Sequence, residues 1–387
     1  MHSLGTTVLV TFVSLHLFST AGAQGLNTWA ARDFPSREPS QLNDAAYGNG
    51  RFVVVGRETN AAGLSIKLMV SSTDGINWQR VDPGVEDTLL GITYGNGQFV
   101  SVGTKGRVLT SADGIQWRKQ PIETLNDLNG VTYGGGLYIA VGEGGAILRS
   151  PNGTNWVAQP FGNVELAAAT YGNGHFVIAG GDSTAVILES ADGIHWSRPN
   201  LGDAYREMRG VAYGNGVFVV VGDRENILTS ADTVTWQTRR TGPETLRWVI
   251  FAEGRFLAVG GPNSGPALVL SSSNGIDWTG HDLSAATGVT VLRAATYGQG
   301  TFLVVGDHGI AQSGIFASSF RLGLNYDSGA AVEVFGPLGR TVTIESAADV
   351  NATWRVRTNI TISSWPQSWL DPSPQSTRQF YRVRGVP

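Results

Sequence analysis

One phrase recurs along this 387-residue chain: L-x-G-V-T-Y-G-N-G-x-F-V-x-V-G, a short gap, then x-I-L-x-S-x-D-G-I-x-W. Tyr94-Gly95-Asn96-Gly97 through Trp117 is a clean copy, and others run from Tyr47 to Trp78, Tyr133 to Trp156, Tyr171 to Trp196 and Tyr213 to Trp236. A sixth has Phe251 in the tyrosine place and ends at Trp278. The five intervals between Trp78 and Trp278 average about 40 residues, the length of a four-stranded propeller blade. Within a copy the runs are short, β-branched and aromatic, which favours strands. Asn96-Gly97 supplies the positive φ angles of a tight hairpin, and Asp113-Gly114 supplies a second turn. Helices need apolar residues three and four apart, and these runs lack that spacing.

The seventh copy is split. Tyr297-Gly298-Gln299-Gly300, Phe302–Val305 and Ile310–Gln312 supply three strands, and the Asp-Gly-x-x-Trp end is missing. Near the N-terminus, Gly25-Leu26-Asn27-Thr28-Trp29 resembles that missing end and has no Tyr-Gly half before it. The N-terminal strand is therefore expected to complete the last sheet, which closes a ring and removes two open edges. The expected fold is all-β: a seven-bladed β-propeller over residues 24–316, closed by the N-terminal strand, followed by a linker and a small C-terminal β-sandwich-like module over 317–387. In that module Val332–Phe335, Val342–Glu345, Trp354–Arg357 and Phe380–Val383 read as strands, and a sorting or attachment role is the alternative to an accessory module. At about 65 residues it is marginal alone and is expected to pack on the propeller.

Composition narrows the function. The 52 glycines lack a collagen period and fit many tight turns. The chain is 41% apolar, enough for a substantial core. A net charge of −4 gives no basic surface for nucleic acid. With no cysteine, disulfide frameworks, thiolate metal sites and cysteine nucleophiles are excluded. Residues 1–23 read as a secretory signal: Val8–Phe18 is apolar, Ala21-Gly22-Ala23 is a small-x-small cleavage site, and the n-region carries His2 but no Lys or Arg. The apolar run is shorter than the ~20 residues of a membrane span. A mature chain without a membrane span, secreted, periplasmic or on the cell surface, is expected, working as a monomer.

Ser111-x-Asp113-Gly114-x-x-Trp117 resembles a shortened Asp-box, recurring at Ser72/Asp74/Gly75/Trp78 and Ser190/Asp192/Gly193/Trp196. The usual motif has one more residue between Asp and Gly. Asp-box (BNR-like) propellers of the sialidase-like superfamily include sialidases, xyloglucan-active glycosidases, sortilin-like receptors and photosystem assembly factors. The resemblance implies a fold, since these families share turns and not chemistry. The aspartates read as turn residues, because Asp accepts local N–H bonds in such turns.

Function is expected on the face carrying the fourth-to-first and second-to-third strand loops. Most second-to-third loops are short; Arg57–Ser65 and Gly261–Ala267 are longer. Aligned on the tyrosine, position −5 is Leu or Met in every copy and reads as core. Position −4 holds Asn43, Leu90, Asn129, Ala167, Arg209, Arg247 and Arg293. Three consecutive blades thus place Arg at the channel mouth, where guanidinium groups can bind a carboxylate or sulfate bidentately. The plainer alternative is solvated charges paired with Glu207, Glu244 or Asp282. The arginine triad of sialidases is similar in kind, but no Arg-Ile-Pro motif and no Tyr/Glu nucleophile pair accompany it. Trp248 and Tyr205 could stack on a sugar, or Trp248 could serve blade packing. Asn43 and Asn129 complete the candidate ligand-binding set.

A glycosidase needs two carboxylates roughly 5–10 Å apart. Asp44, Glu86, Asp87, Glu123, Asp127, Glu165, Asp203 and Glu244 are candidates, and no pair stands out. Histidines lack metal-ligand spacing, and the Gly-rich turns lead into strands rather than helices, so neither a metal nor another cofactor is expected. The reading is an exported binding or scaffold protein for a glycan or protein ligand on its loop face. The alternatives are a glycoside hydrolase or polysaccharide lyase, and an assembly factor for another protein.

Overall fold

A computed structural model describes Leu26 and residues 29–313 except 38, 123, 202–206, 263–266, 285, 287 and 288, together with six strands between 321 and 385. The proposed signal segment 1–23, the linker 317–319, Tyr205, Glu123 and Asp203 lie outside the described residues. The strands form two units, one between Leu26 and Gly314 and a C-terminal one beyond it.

The first unit is a seven-bladed propeller. Its seven antiparallel sheets each run in chain order from first to last strand, save that the last sheet has the order Trp29–Arg32, Gly309–Ser313, Thr301–Gly306, Leu292–Gly298. Trp29 lies opposite Ser313 and Arg32 opposite Ile310, as the split repeat predicts. Trp29 is buried, and its indole N–H donates to Leu26 O at 2.7 Å. Trp78, Trp156, Trp236 and Trp278 make the same bond to the residue three before them. The N-terminal piece is thus the missing seventh turn in its chemistry as well as its position.

The first strands of the blades are Ser40–Gly48, Leu89–Gly95, Leu128–Gly134, Leu166–Gly172, Met208–Gly214, Leu246–Ala252 and Leu292–Gly298 (blades 1 to 7). Each packs on the first strand of the next blade, and the last packs on the first, so together they surround the axis. In blades 1 to 4 a fully buried aromatic, such as Phe99, sits between a tyrosine and a tryptophan, with ring centroids 4.8 Å from Tyr94 and 6.3 Å from Trp117; in blade 6 Phe256 sits between Phe251 and Trp278. The glycine after the tyrosine is fixed by the neighbour. A Cβ on Gly95 would lie 2.4 Å from Tyr133 Cβ in the next blade. Blade 6 carries Ala252 at that place.

The Ser-x-Asp-Gly turns cap themselves. Ser72 Oγ accepts from Gly75 N–H at 2.8 Å, and Asp74 Oδ1 accepts from Ile76 and Asn77 N–H, both at 2.8 Å. Blades 3 and 6 use Asn152 and Asn274 for the same two bonds. In blades 1, 2, 3, 5 and 6 the fourth strand begins one residue after the tryptophan. Blade 4 has only a bridge between Glu189 and Ser197 in place of that strand. In blades 1 to 3 the residue three after the tryptophan donates its N–H to the third strand: Val81 to Met69, Gln120 to Val108, Gln159 to Ile147. Blade 4 has Pro199 there, which has no N–H to give.

The C-terminal unit has two three-stranded antiparallel sheets. Four of its strands match the sequence reading; Arg321–Asn325 and Gln367–Leu370 are additional.

Two predictions follow from this packing. Gly95→Ala forces Tyr133 to move and should lower unfolding free energy by about 1–3 kcal/mol in a denaturant melt. The second concerns acid. N–H donors at Thr235 and Val234 hold Asp232 at about 2, and those at Asn77 and Ile76, acting against burial, hold Asp74 at about 2. Folded values below the unfolded 3.8 give stability that is complete above pH 4 and lost as pH falls toward 2. Replacing Asp74, Asp113, Asp192 and Asp232 by Asn should keep the fold, since blades 3 and 6 already use Asn, and should flatten thermal stability between pH 4 and 2. An unchanged acid limb would refute the assignment.

Candidate functional site at the channel mouth

Every first strand carries a β-bulge, and the extra residue is always the one four before the aromatic. In blade 1 Leu42 faces Gly56 and Asp44 faces Val55, leaving Asn43 over; the same slip recurs in the other six blades. The residue before the bulge, from Leu42 to Leu292, is fully buried in all seven blades. It holds the strand while the bulge re-aims its neighbour. The result is a ring of half-buried side chains at the start of the inner strands: Asn43, Leu90, Asn129, Ala167, Arg209, Arg247 and Arg293.

The two asparagines bind the ring together. Asn43 Nδ2 donates to Leu89 O at 2.9 Å and Asn129 Nδ2 to Leu166 O at 3.0 Å, each in the next blade. The three arginines lie close enough to act on one another. Burial first, then the charges of Arg209 and Arg293, pull Arg247 below its ordinary value, while Asp223 and Asp307 oppose the fall. Arg209 Nε donates to Asp223 Oδ1 at 2.9 Å and its Nη2 to Glu207 Oε2 at 2.8 Å. Arg293 grips Asp307 with both Nε, at 2.7 Å, and Nη2, at 3.3 Å.

Glu207 is therefore a counter-ion, as the plainer reading expected, whereas Asp282 accepts from Ser284 instead. Asp223 and Asp307 were not singled out from sequence. Their signal was present: each follows its arginine by fourteen residues, directly after the glycine that ends the second strand. In blade 6 that place is Gly261.

Trp248 follows Arg247 in a column otherwise filled by Asp44, Gly91, Gly130, Ala168, Gly210 and Ala294. Small residues suit it, because a Cβ on Gly210 would lie 2.9 Å from Trp248 Cα. The indole packs against the core of blades 7 and 1 and against the core of blades 4 and 5. A side chain within a sheet projects from one face. Contact with cores on both sides of blade 6 places this indole at the inner edge, over the axis.

The remaining carboxylates divide by environment. Glu86 pairs with Lys67 and Asp87 with Arg107, and Asp127 accepts from Lys105 N–H at 2.8 Å. Glu165 is raised by burial and by the nearby carboxylates of Asp182 and Glu143. Asp44 is 2% exposed; its Oδ1 accepts from Ala45 N–H and its Oδ2 from Ile92 N–H in blade 2, both at 2.8 Å. It joins two blades and has no opening to a substrate. Among the described residues no group of three His, Cys, Asp or Glu could hold a metal ion, and no helix is long and apolar enough to cross a membrane.

No protein-family profile matches this chain, and no curated protein matches its sequence. Solved structures do match in shape. YCF48 bound to D1 peptide is 15% identical, with a TM-score of 0.60 over 76% of this chain and 97% of that one. Virginiamycin B lyase from Staphylococcus aureus is 9% identical, with a TM-score of 0.62 over 74% and 99%. The WD40 propeller domain of Doa1 is 11% identical, with a TM-score of 0.55 over 74% and 96%. At these identities the likeness concerns the fold: the chain is a seven-bladed propeller.

The buried Asp44 gives a pH prediction. Burial, acting against the N–H groups of Ile92 and Ala45, pushes it up to about 7. The folded state then holds a proton that the unfolded state releases near 3.8. Its contribution to stability is highest below pH 4, declines from 4 to 7 and is level above 7. Asp44→Asn should remove that decline in a series of thermal melts. The carboxyl carbon of Asp44 should titrate near neutrality by NMR; titration near pH 4 would overturn the assignment.

Proposed function

We propose that this chain is a binding or scaffold protein that holds an anionic segment of another protein on its loop face, with Arg209, Arg247 and Arg293 receiving a carboxylate. The observation that carries the reading is the placement of three arginines from consecutive blades at the same bulged position of one ring. Arg247 is opposed by burial and by two like charges. A carboxylate set among the three relieves that repulsion and offers the fork geometry guanidinium groups bind best. Asp223, Glu207 and Asp307 hold the outer two arginines in place, so selectivity comes from geometry more than from bulk potential.

A protein ligand is favoured over a glycan on two grounds. The tryptophan that would stack on a sugar is engaged with two blade cores. A propeller of the same fold, YCF48, has been captured with a peptide. The peptide mode also suits an assembly factor, and we take assembly of another protein as the context of binding. The apolar run at 8–18 and the Ala21-Gly22-Ala23 site support placing that role outside the cytoplasm.

The test is binding of the purified chain to a panel of acidic peptides and acidic glycans. Acidic peptides should bind, more weakly as salt rises. Arg209→Ala with Arg247→Ala should weaken binding about tenfold or more, since each removes a charge-assisted bond. Equal binding by the double variant, or preference for the glycans, would refute the proposal.

A further inference from the structure

The place that Asp223 holds in blade 5 and Asp307 in blade 7, directly after the glycine that ends the second strand, belongs in blade 1 to Arg57. The charge there is reversed. The bulge residue fourteen positions before it, Asn43, needs no counter-ion, because its amide donates to Leu89 O at 2.9 Å. Blade 1 follows blade 7 across the closing seam, so Arg57 comes next in ring order after Arg209, Arg247 and Arg293. The hairpin that carries it is built out: Arg51–Thr59 and Ser65–Ser72 extend three residues past their counterparts Gln98–Gly103 and Arg107–Ser111. Its tip is tied, with Asn60 Oδ1 accepting from Ala62 N–H at 3.0 Å and Leu64 N–H at 2.9 Å.

Arg57 is exposed, yet its guanidinium is held from one side. Its Nε donates to Gln41 Oε1 at 2.6 Å, and Gln41 Nε2 donates to Asp307 Oδ1 at 3.2 Å. The same aspartate oxygen accepts from Arg293 Nε at 2.7 Å. One amide and one carboxylate oxygen thus link the two guanidinium groups, which places their Nε atoms no more than about 11 Å apart. The carboxylates beside Arg57 are engaged, Asp307 by Arg293 and Glu58 by Arg80. Among the described residues the Nη groups of Arg57 make no hydrogen bond or ion pair, so the outer edge of its fork is open to a carboxylate. There is room for one: a cavity of about 330 Å³ lies between hairpin and seam, with Gln41, Arg57, Ser65 and His308 in its wall.

We propose, building on carboxylate capture by the three ring arginines, that Arg57 is a fourth arginine of that site and selects a segment with two acidic residues. One carboxylate sits among Arg209, Arg247 and Arg293, and the other, two residues along, meets the Nη edge of Arg57 in the cavity. Residues two apart in an extended segment project to one side and stand about 7 Å apart. The acidic side chains splay to cover the rest of the span. Gln41 is the positioning residue, since it fixes Arg57 relative to Arg293 through Asp307.

The experiment uses the full chain and calorimetry. The probes are peptides of one background carrying a single glutamate, two glutamates two positions apart, two glutamates six positions apart, or a glutamate and a lysine two positions apart. The close pair should bind about tenfold more tightly than the single glutamate, for one added charge-assisted bond. The distant pair should gain less. Arg57→Gln should erase the advantage of the close pair. Arg57→Glu should reverse it, so that the glutamate–lysine peptide becomes the better ligand, an exchange that loss of structure does not produce. Melting temperatures should show both variants folded, since Arg57 is exposed. No advantage of the close pair, an equal advantage for the distant pair, or a preference that survives both substitutions would overturn the proposal. Binding of the single glutamate that is lost in Arg209→Ala with Arg247→Ala would then leave the three ring arginines standing as the capture site. Failure of every glutamate peptide to bind would overturn both.

Discussion

The ladder between Trp29–Arg32 and Gly309–Ser313 is the contact on which the rest of the propeller depends. It joins the two ends of a sequence of repeats into one sheet, and Arg32 Nε adds a bond to Gln312 Oε1 at 2.9 Å. Closure converts a row of blades with two exposed edges into a ring without them. It also fixes where the inner strands lie. Without it, neither the mouth of the channel nor the seam beside blade 1 would exist as a defined surface.

Given closure, the inner strands obey a tight steric rule. Small residues recur where neighbouring first strands approach, and glycine recurs where the next blade's tyrosine ring lies against the backbone. These constraints leave little freedom for function on the strands themselves. The bulge is the exception. It adds one residue to each first strand without disturbing the buried leucine or methionine before it, so seven side chains are released from packing at one level of the ring. Evolution of a ligand site needs only changes among those seven and the adjoining loop residues. Arg209 with Asp223 and Arg293 with Asp307 show two blades using the same pair, fourteen residues apart.

The propeller was legible in the sequence because its determinants are local and periodic. The turn aspartates bond to N–H groups two and three residues away, and the Asn-Gly hairpins need positive φ at adjacent residues, as at Asn96 and Gly97. Even the shortened edge of blade 4 can be read from Pro199. The candidate site was legible in part. The column Arg209, Arg247, Arg293 follows from alignment of the repeats. The carboxylates that hold two of them, Asp223 and Asp307, also lie in the repeat register, but acidic residues in loops are common and the register alone does not mark them as partners. Trp248 was ambiguous because its contacts belong to blades on both sides of its own.

Sequence alone determined the number of blades, the splitting of the seventh and the chemistry of each turn, since all of these rest on neighbours a few residues apart or on exact repetition. Tertiary structure alone decided what converges. Gln41 and Asp307 are 266 positions apart and meet only because the ring closes. Asp44 and Ile92 meet only because adjacent inner strands pack. Such meetings depend on the curvature of the whole ring, and no local pattern of residues encodes them.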